Sequence, residues 1–76
     1  MAIFTVRQGK RYRANISLGW IEMFASNDTI AEQLRSAGFT DVAVTGSGST
    51  RVAEALWPAA DASAEMPKQI VGVIEI

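Results

Sequence analysis

Three stretches of this sequence hold residues of the types that chemistry uses. Gly46-Ser47-Gly48-Ser49-Thr50 offers successive backbone N–H groups of the kind that cradle a phosphate. It carries neither the lysine of a P-loop nor the spacing of a dinucleotide fingerprint, and a two-glycine hairpin turn accounts for it. Asp28 and Glu32 stand one helical turn apart, but an acid at the start of a helix is explained by the helix dipole. With 0 His and 0 Cys, the usual nucleophile–base pairs are excluded, as are zinc and iron sites of the common ligands. No catalytic residue, metal or cofactor is expected. The third stretch, Arg11-Tyr12-Arg13, belongs to a basic start. Arg7, Lys10, Arg11 and Arg13 lie among the first thirteen residues with no acid, whereas Arg35, Arg51 and Lys68 face all eight acids in the remainder. Such polarity steers polyanions, so nucleic acid is one candidate partner, through these cations and Arg51.

Positioning these side chains falls to a small number of elements. Residues 3–7 are rich in β-branched and aromatic types and read as a strand. Residues 11–18 alternate strictly, with Tyr12, Ala14, Ile16 and Leu18 on one side and Arg11, Arg13, Asn15 and Ser17 on the other. Tyr12 therefore points away from its two arginine neighbours. Ser26-Asn27-Asp28-Thr29 is dense in helix-capping types, with Thr29 and Glu32 spaced as a capping box. Ile30, Ala31, Leu34 and Ala37 follow at helical spacing, and Gly38 supplies the stop, which predicts a helix over 28–37. Trp20 and Phe24, four apart, share a face if residues 20–25 form a turn, and core packing is the simplest role for Phe24.

Residues 41–45 alternate again, with Val42 and Val44 inward. Residues 51–57 carry two signals, helical propensity and a hairpin after the glycine-rich turn, and strand is the preferred reading. Glu54 then falls between Val52 and Leu56 and suits an edge strand guarded by a charge. Residues 59–65 read as a loop holding at most one helical turn. Residues 70–76 are apolar on both sides and read as a strand buried inside the sheet.

The predicted fold class is α+β: one main helix packed on a four- to five-stranded, mostly antiparallel sheet in the order β-β-α-β-β-β, a ferredoxin-like or split β-α-β variant. One helix leaves one sheet face open. Val71, Val73, Ala53, Ala55 and Trp57 are expected to place apolar groups there, and an exposed apolar patch marks a contact surface.

The pattern also resembles the SPOR-type domains. Tyr12 to Gly19, then Ala31 with Leu34, Gly38-Phe39 and Arg51-Val52 match the strand, helix, Gly-aromatic pair and Arg-Val strand start of that family. The likeness covers roughly residues 11 to 57. It implies a ferredoxin-like fold and binding of septal peptidoglycan glycans outside the cytoplasm. Asn15 stands near where a glutamine is usual, the second helix is replaced by residues 61–65, and the strand at 3–7 is additional.

A chain of 76 residues buries only about 60% of its unfolded surface. Self-association hides apolar area that so small a core leaves exposed. The expected function is a non-catalytic binding or assembly module, with Arg11, Arg13, Arg51, Trp57, Val71 and Val73 as candidate binding residues and a protein partner or second copy as occupant. No apolar run approaches the roughly 18 residues of a spanning helix. The start, MAIFTVRQGKR, lacks the apolar core of a secretory signal. The expectation is a soluble, cytoplasmic chain without membrane insertion.

Overall fold

The single α-helix begins where the capping residues cluster. In the structure, a computed structural model that describes residues 3–76, α1 spans Asn27–Ser36. The cap is Ser26, whose Oγ accepts the Thr29 N–H at 3.1 Å. Ser26 sits before the first helical residue in extended backbone, which lets its hydroxyl reach a free N–H of the first turn. The expected Thr29–Glu32 box does not form, and Glu32 pairs with Arg35 one turn on. At the far end Gly38 has φ +114°. Phe39 N–H donates to Leu34 O at 3.1 Å and Gly38 N–H to Arg35 O at 3.0 Å, a Schellman ending.

The described residues also form six strands: β1 Ile3–Val6, β2 Lys10–Ser17, β3 Thr40–Ser47, β4 Thr50–Trp57, β5 Ala62–Glu65 and β6 Ile70–Glu75. Four of them form an antiparallel sheet in the order β3-β4-β2-β6. With β2, β3, β4 and β6 taken as its strands, this is the split β-α-β order. The architecture is α+β, one helix on an antiparallel sheet. Residues 50–57 are strand, as the hairpin signal favours, because β4 gains a ladder on both sides.

β1 and β5 form a separate two-stranded ribbon, with Ile3 opposite Glu65 and Val6 opposite Ala62. Residues 62–65 are therefore a strand and not a loop with a helical turn. Their Ala-Ser-Ala-Glu sequence has little strand propensity of its own, and pairing with β1 supplies it. The additional N-terminal strand and the missing second helix are thus one feature.

Register corrects three expectations. β4 lies between β3 and β2 and is no edge. Its Glu54 sits opposite Arg13 and binds it at 3.1 Å on the sheet's outer face. β6 pairs only with β2 and is an edge, not a strand buried on both sides. Ala53 stands opposite Ala14 and Ala55 opposite Tyr12, while Val73 stands opposite Ala14 from the other side. Ala53, Ala55, Trp57 and Val73 therefore share the helix-side face with Tyr12 and Ile16. The face away from the helix carries Arg11, Arg13, Asn15, Glu54 and Ile74 instead. The core is small: Ile16, Ile30 and Ala53 at its centre, with Leu18, Leu34, Val44 and Ile70 packed against them.

Candidate functional site

The six candidate binding residues separate into three places. Arg11 and Arg13 lie on the outer sheet face, each bound to a carboxylate: Asp41 at 2.6 Å and Glu54 at 3.1 Å. The aromatic rings lie on the opposite face or its margin. Tyr12 meets Phe4 edge-on at 5.4 Å, and Trp57 meets Phe39 edge-on at 4.9 Å. Stacking of bases needs rings beside cations on one surface, and this sheet keeps them apart. Trp57 also donates its indole N–H to Ala60 O at 2.8 Å. It is half-buried and packed, not a free anchor.

Arg51 is 4% exposed and binds the protein itself. Its Nε donates to Gly48 O at 3.1 Å, one Nη to Asn27 Oδ1 at 2.8 Å and the other to Met23 O at 2.8 Å. Period-two alternation already places Arg51 on the side of Ala53 and Ala55. A buried guanidinium persists only when its donors are satisfied. Here neutral oxygens from three separate segments satisfy them, so Arg51 fastens the β3–β4 turn, the helix start and residues 19–25 together.

The fastened segment 19–25 gathers three exposed large apolar side chains. Trp20, Ile21 and Phe24 are 77%, 71% and 78% exposed, so Phe24 is not a core residue. Phe24 ends a 3-10 turn, Glu22–Phe24, that buries none of its side chains, and Trp20 and Ile21 lie in the turn just before it. Glu22 pins the turn from within. Its carboxylate accepts the Gly19 N–H at 3.0 Å and the Gln69 side-chain amide at 2.8 Å. The Gly19 bond, then Gln69, then nearby Lys68 hold the Glu22 carboxyl below its ordinary value. Sequence reading missed this surface because a large aromatic such as Phe24 next to a helix start ordinarily signals core.

A folded pKa below the unfolded one stabilises the fold above the unfolded value, and that contribution disappears as pH falls through the folded value. Residues 19–25 are therefore expected to loosen on acidification below the ordinary carboxylate range. The Gly19 amide should report this by titrating with Glu22 in NMR spectra, and Glu22→Gln should abolish that titration. A Gly19 amide that ignores pH would show the turn is held by other means.

Gln69 leads into β6, and here the edge opens. Val71 is 67% exposed, and Ile74 and Ile76 are exposed beside it. The register slips between Asn15 and Ile16, leaving Val71 as the extra residue of a bulge. Ile76 N–H donates to Arg11 O at 2.9 Å. Alternate residues of an antiparallel strand bond the same neighbour, so Gly72 and Ile74 also face β2. Val73 and Glu75 turn their N–H and C=O groups to the open side. The opposite edge, β3, is guarded. It carries a register break with Asp41 at φ 51°, and α1 packs along it.

Compared with protein-family models, with curated proteins and with solved structures, the chain matches none. Among the described residues, no group of three or more acids is placed to hold a metal ion, and no helix is long and apolar enough to cross a membrane.

Proposed function

We propose that this domain is a non-catalytic assembly module that pairs with a second copy of itself along β6. The observation that supports this is the contrast between the two edges. The register break of β3 comes with the left-handed backbone of Asp41 and with α1 packed beside the strand, whereas the bulge of β6 is confined to Val71 near its start. β6 offers free backbone groups at Val73 and Glu75 with apolar side chains on both faces. Two β6 strands related by a two-fold axis run antiparallel and continue the sheet from one copy into the next. Nothing on the strand opposes its twin. Glu75 is its single charge and is already bound by Arg7 at 3.1 Å, and a net charge of −1 gives little self-repulsion. Trp20, Ile21 and Val71, at the end where Gln69 meets Glu22, would flank the join as the large apolar anchors that dominate interfaces.

Light scattering over micromolar to millimolar protein should give a dimer. Val73→Pro removes an N–H that points outward and leaves the bonds to β2 intact, a position an edge strand tolerates. Its circular dichroism should match the parent while its mass halves. Ile74→Lys should act in the same direction. A monomeric parent, or a Val73→Pro dimer as tight as the parent's, would overturn the proposal.

A further inference from the structure

Strand β6 restricts how two copies can meet along it. Its outward N–H and C=O groups belong to Val73 and Glu75, because Gly72, Ile74 and Ile76 spend theirs on β2. Between two identical antiparallel strands, outward groups must meet outward groups. A register one step off sets Val73 and Glu75 against residues whose groups are already bonded, and the ladder is lost. The registers that keep it place Gly72, Val73, Ile74 or Glu75 opposite its own twin, on the two-fold axis.

Three of these carry a fault. Gly72 or Val73 on the axis draws Val71 into the pairing, and Val71 is the extra residue of the bulge, where the ladder is disrupted. Glu75 on the axis sets two carboxylates directly opposite one another, which is destabilising. Ile74 on the axis avoids both. Gly72 to Ile76 then pair along their regular stretch, and Val73 exchanges both its bonds with Glu75 of the other copy. The side chains agree with the backbone. On the outer face the exposed Ile74 meets its twin at a non-hydrogen-bonded position, where side chains stand closest. Ile76 falls opposite Gly72. A Cβ at Gly72 would meet only Asn15 Nδ2, at 3.7 Å, so the space over this glycine is open to an isoleucine from the other copy. Glycine inside a strand often marks such a close approach. On the helix-side face each Glu75 stands opposite Val73 and keeps its bond to Arg7.

We infer that β6 pairs with its twin in one register, with Ile74 on the two-fold axis and Gly72 receiving Ile76 of the other copy. This rests on the assembly proposed above and assigns the residues that fix its register. Gly72 and Ile74 are then the specificity residues of the edge, and pairing ends at two copies because the remaining edge, β3, is the guarded one.

The chain contains 0 Cys, so a single introduced cysteine reports only contact between copies. Gly72→Cys, Val73→Cys, Ile74→Cys and Glu75→Cys are each oxidised mildly, at a concentration where light scattering finds the parent dimeric. Ile74→Cys should convert almost fully to a covalent dimer, because Cα atoms at a non-hydrogen-bonded position lie about 4.5 Å apart, within disulfide reach. The other three should stay single chains over the same time, since their twins are offset along the strand. Gly72→Val should keep the parent's circular dichroism and weaken pairing at least about ten-fold, the scale of one large apolar side chain denied its seat. A parent dimer that cross-links through one of the other three variants, or through none, or that tolerates Gly72→Val, overturns the register. Val73→Pro then decides separately whether pairing along β6 survives. A monomeric parent overturns both.

Discussion

Arg51→Met should lower the stability of the domain by about 3 kcal/mol and its melting temperature by roughly 12–24 °C. The substitution keeps the length and the apolar stem. It deletes three charge-assisted bonds, each ordinarily worth about 1.5–3 kcal/mol when an ionised donor is involved, while relieving the cost of holding a cation away from water. Against a total of about 5 kcal/mol for a small domain, the loss leaves little in reserve. The three acceptors belong to Gly48, Asn27 and Met23, so the damage is not local. Residues 19–25 should lose their fixed position along with the hairpin. Arg51→Lys keeps the charge but not the planar fork and should fall between parent and Met. Calorimetry checks the series. A drop of less than about 4 °C for the Met variant, the scale of 1 kcal/mol, would mean that Arg51 is incidental to the fold.

Gly46→Ala should cost about 2–3 kcal/mol, and Gly48→Ala only about 1 kcal/mol. Both glycines have positive φ, +100° and +67°, so both substitutions incur backbone strain. What separates them is space. A Cβ at Gly46 would lie 2.6 Å from Thr50 O and 3.2 Å from Arg51 Cα, both backbone atoms that cannot swing aside. A Cβ at Gly48 meets nothing within 4 Å. Gly46 O also accepts from the Asn27 side chain at 3.1 Å, so a shift of residue 46 disturbs the acceptor that Arg51 uses. Denaturant titrations of the two variants separate close approach from conformational preference. Equal losses would show that the contact is relieved without cost.

Sequence legibility followed the range of the forces involved. Helix α1 was readable because its caps and its stop are local: Ser26, Thr29 and Gly38 act within a few residues. The alternation of β2 was readable for the same reason, and it correctly put Tyr12 and Arg11 on opposite sides. What failed depended on partners distant in the chain. Residues 70–76 are apolar on both faces, which in most sheets means burial. Here the strand pairs with β2 alone, and pairing order is not written in one strand's composition. The face shared by Ala53, Ala55, Trp57 and Val73 needed the register of β4 and β6 against β2. Residues 62–65 became a strand only because residues 3–6 pair with them. The candidate site suffered most. Arg51 looked like a free cation until three separate segments were seen to converge on it, and Phe24 looked like core until the helix was seen to pack elsewhere.

The β1–β5 ribbon has a kinetic meaning. Ile3 meets Glu65 across most of the chain, about as far apart as Tyr12 and Glu75 in the β2–β6 pairing, and closing either loop carries an entropic penalty. The β3–β4 hairpin and the helix close short loops and come first. The ribbon and β6 therefore join after them. The ribbon's four-residue strands bond only each other, which also makes it the first to open. Because Phe4 of the ribbon packs edge-on against Tyr12, its brief local openings would uncover that ring while the four-stranded sheet stays intact.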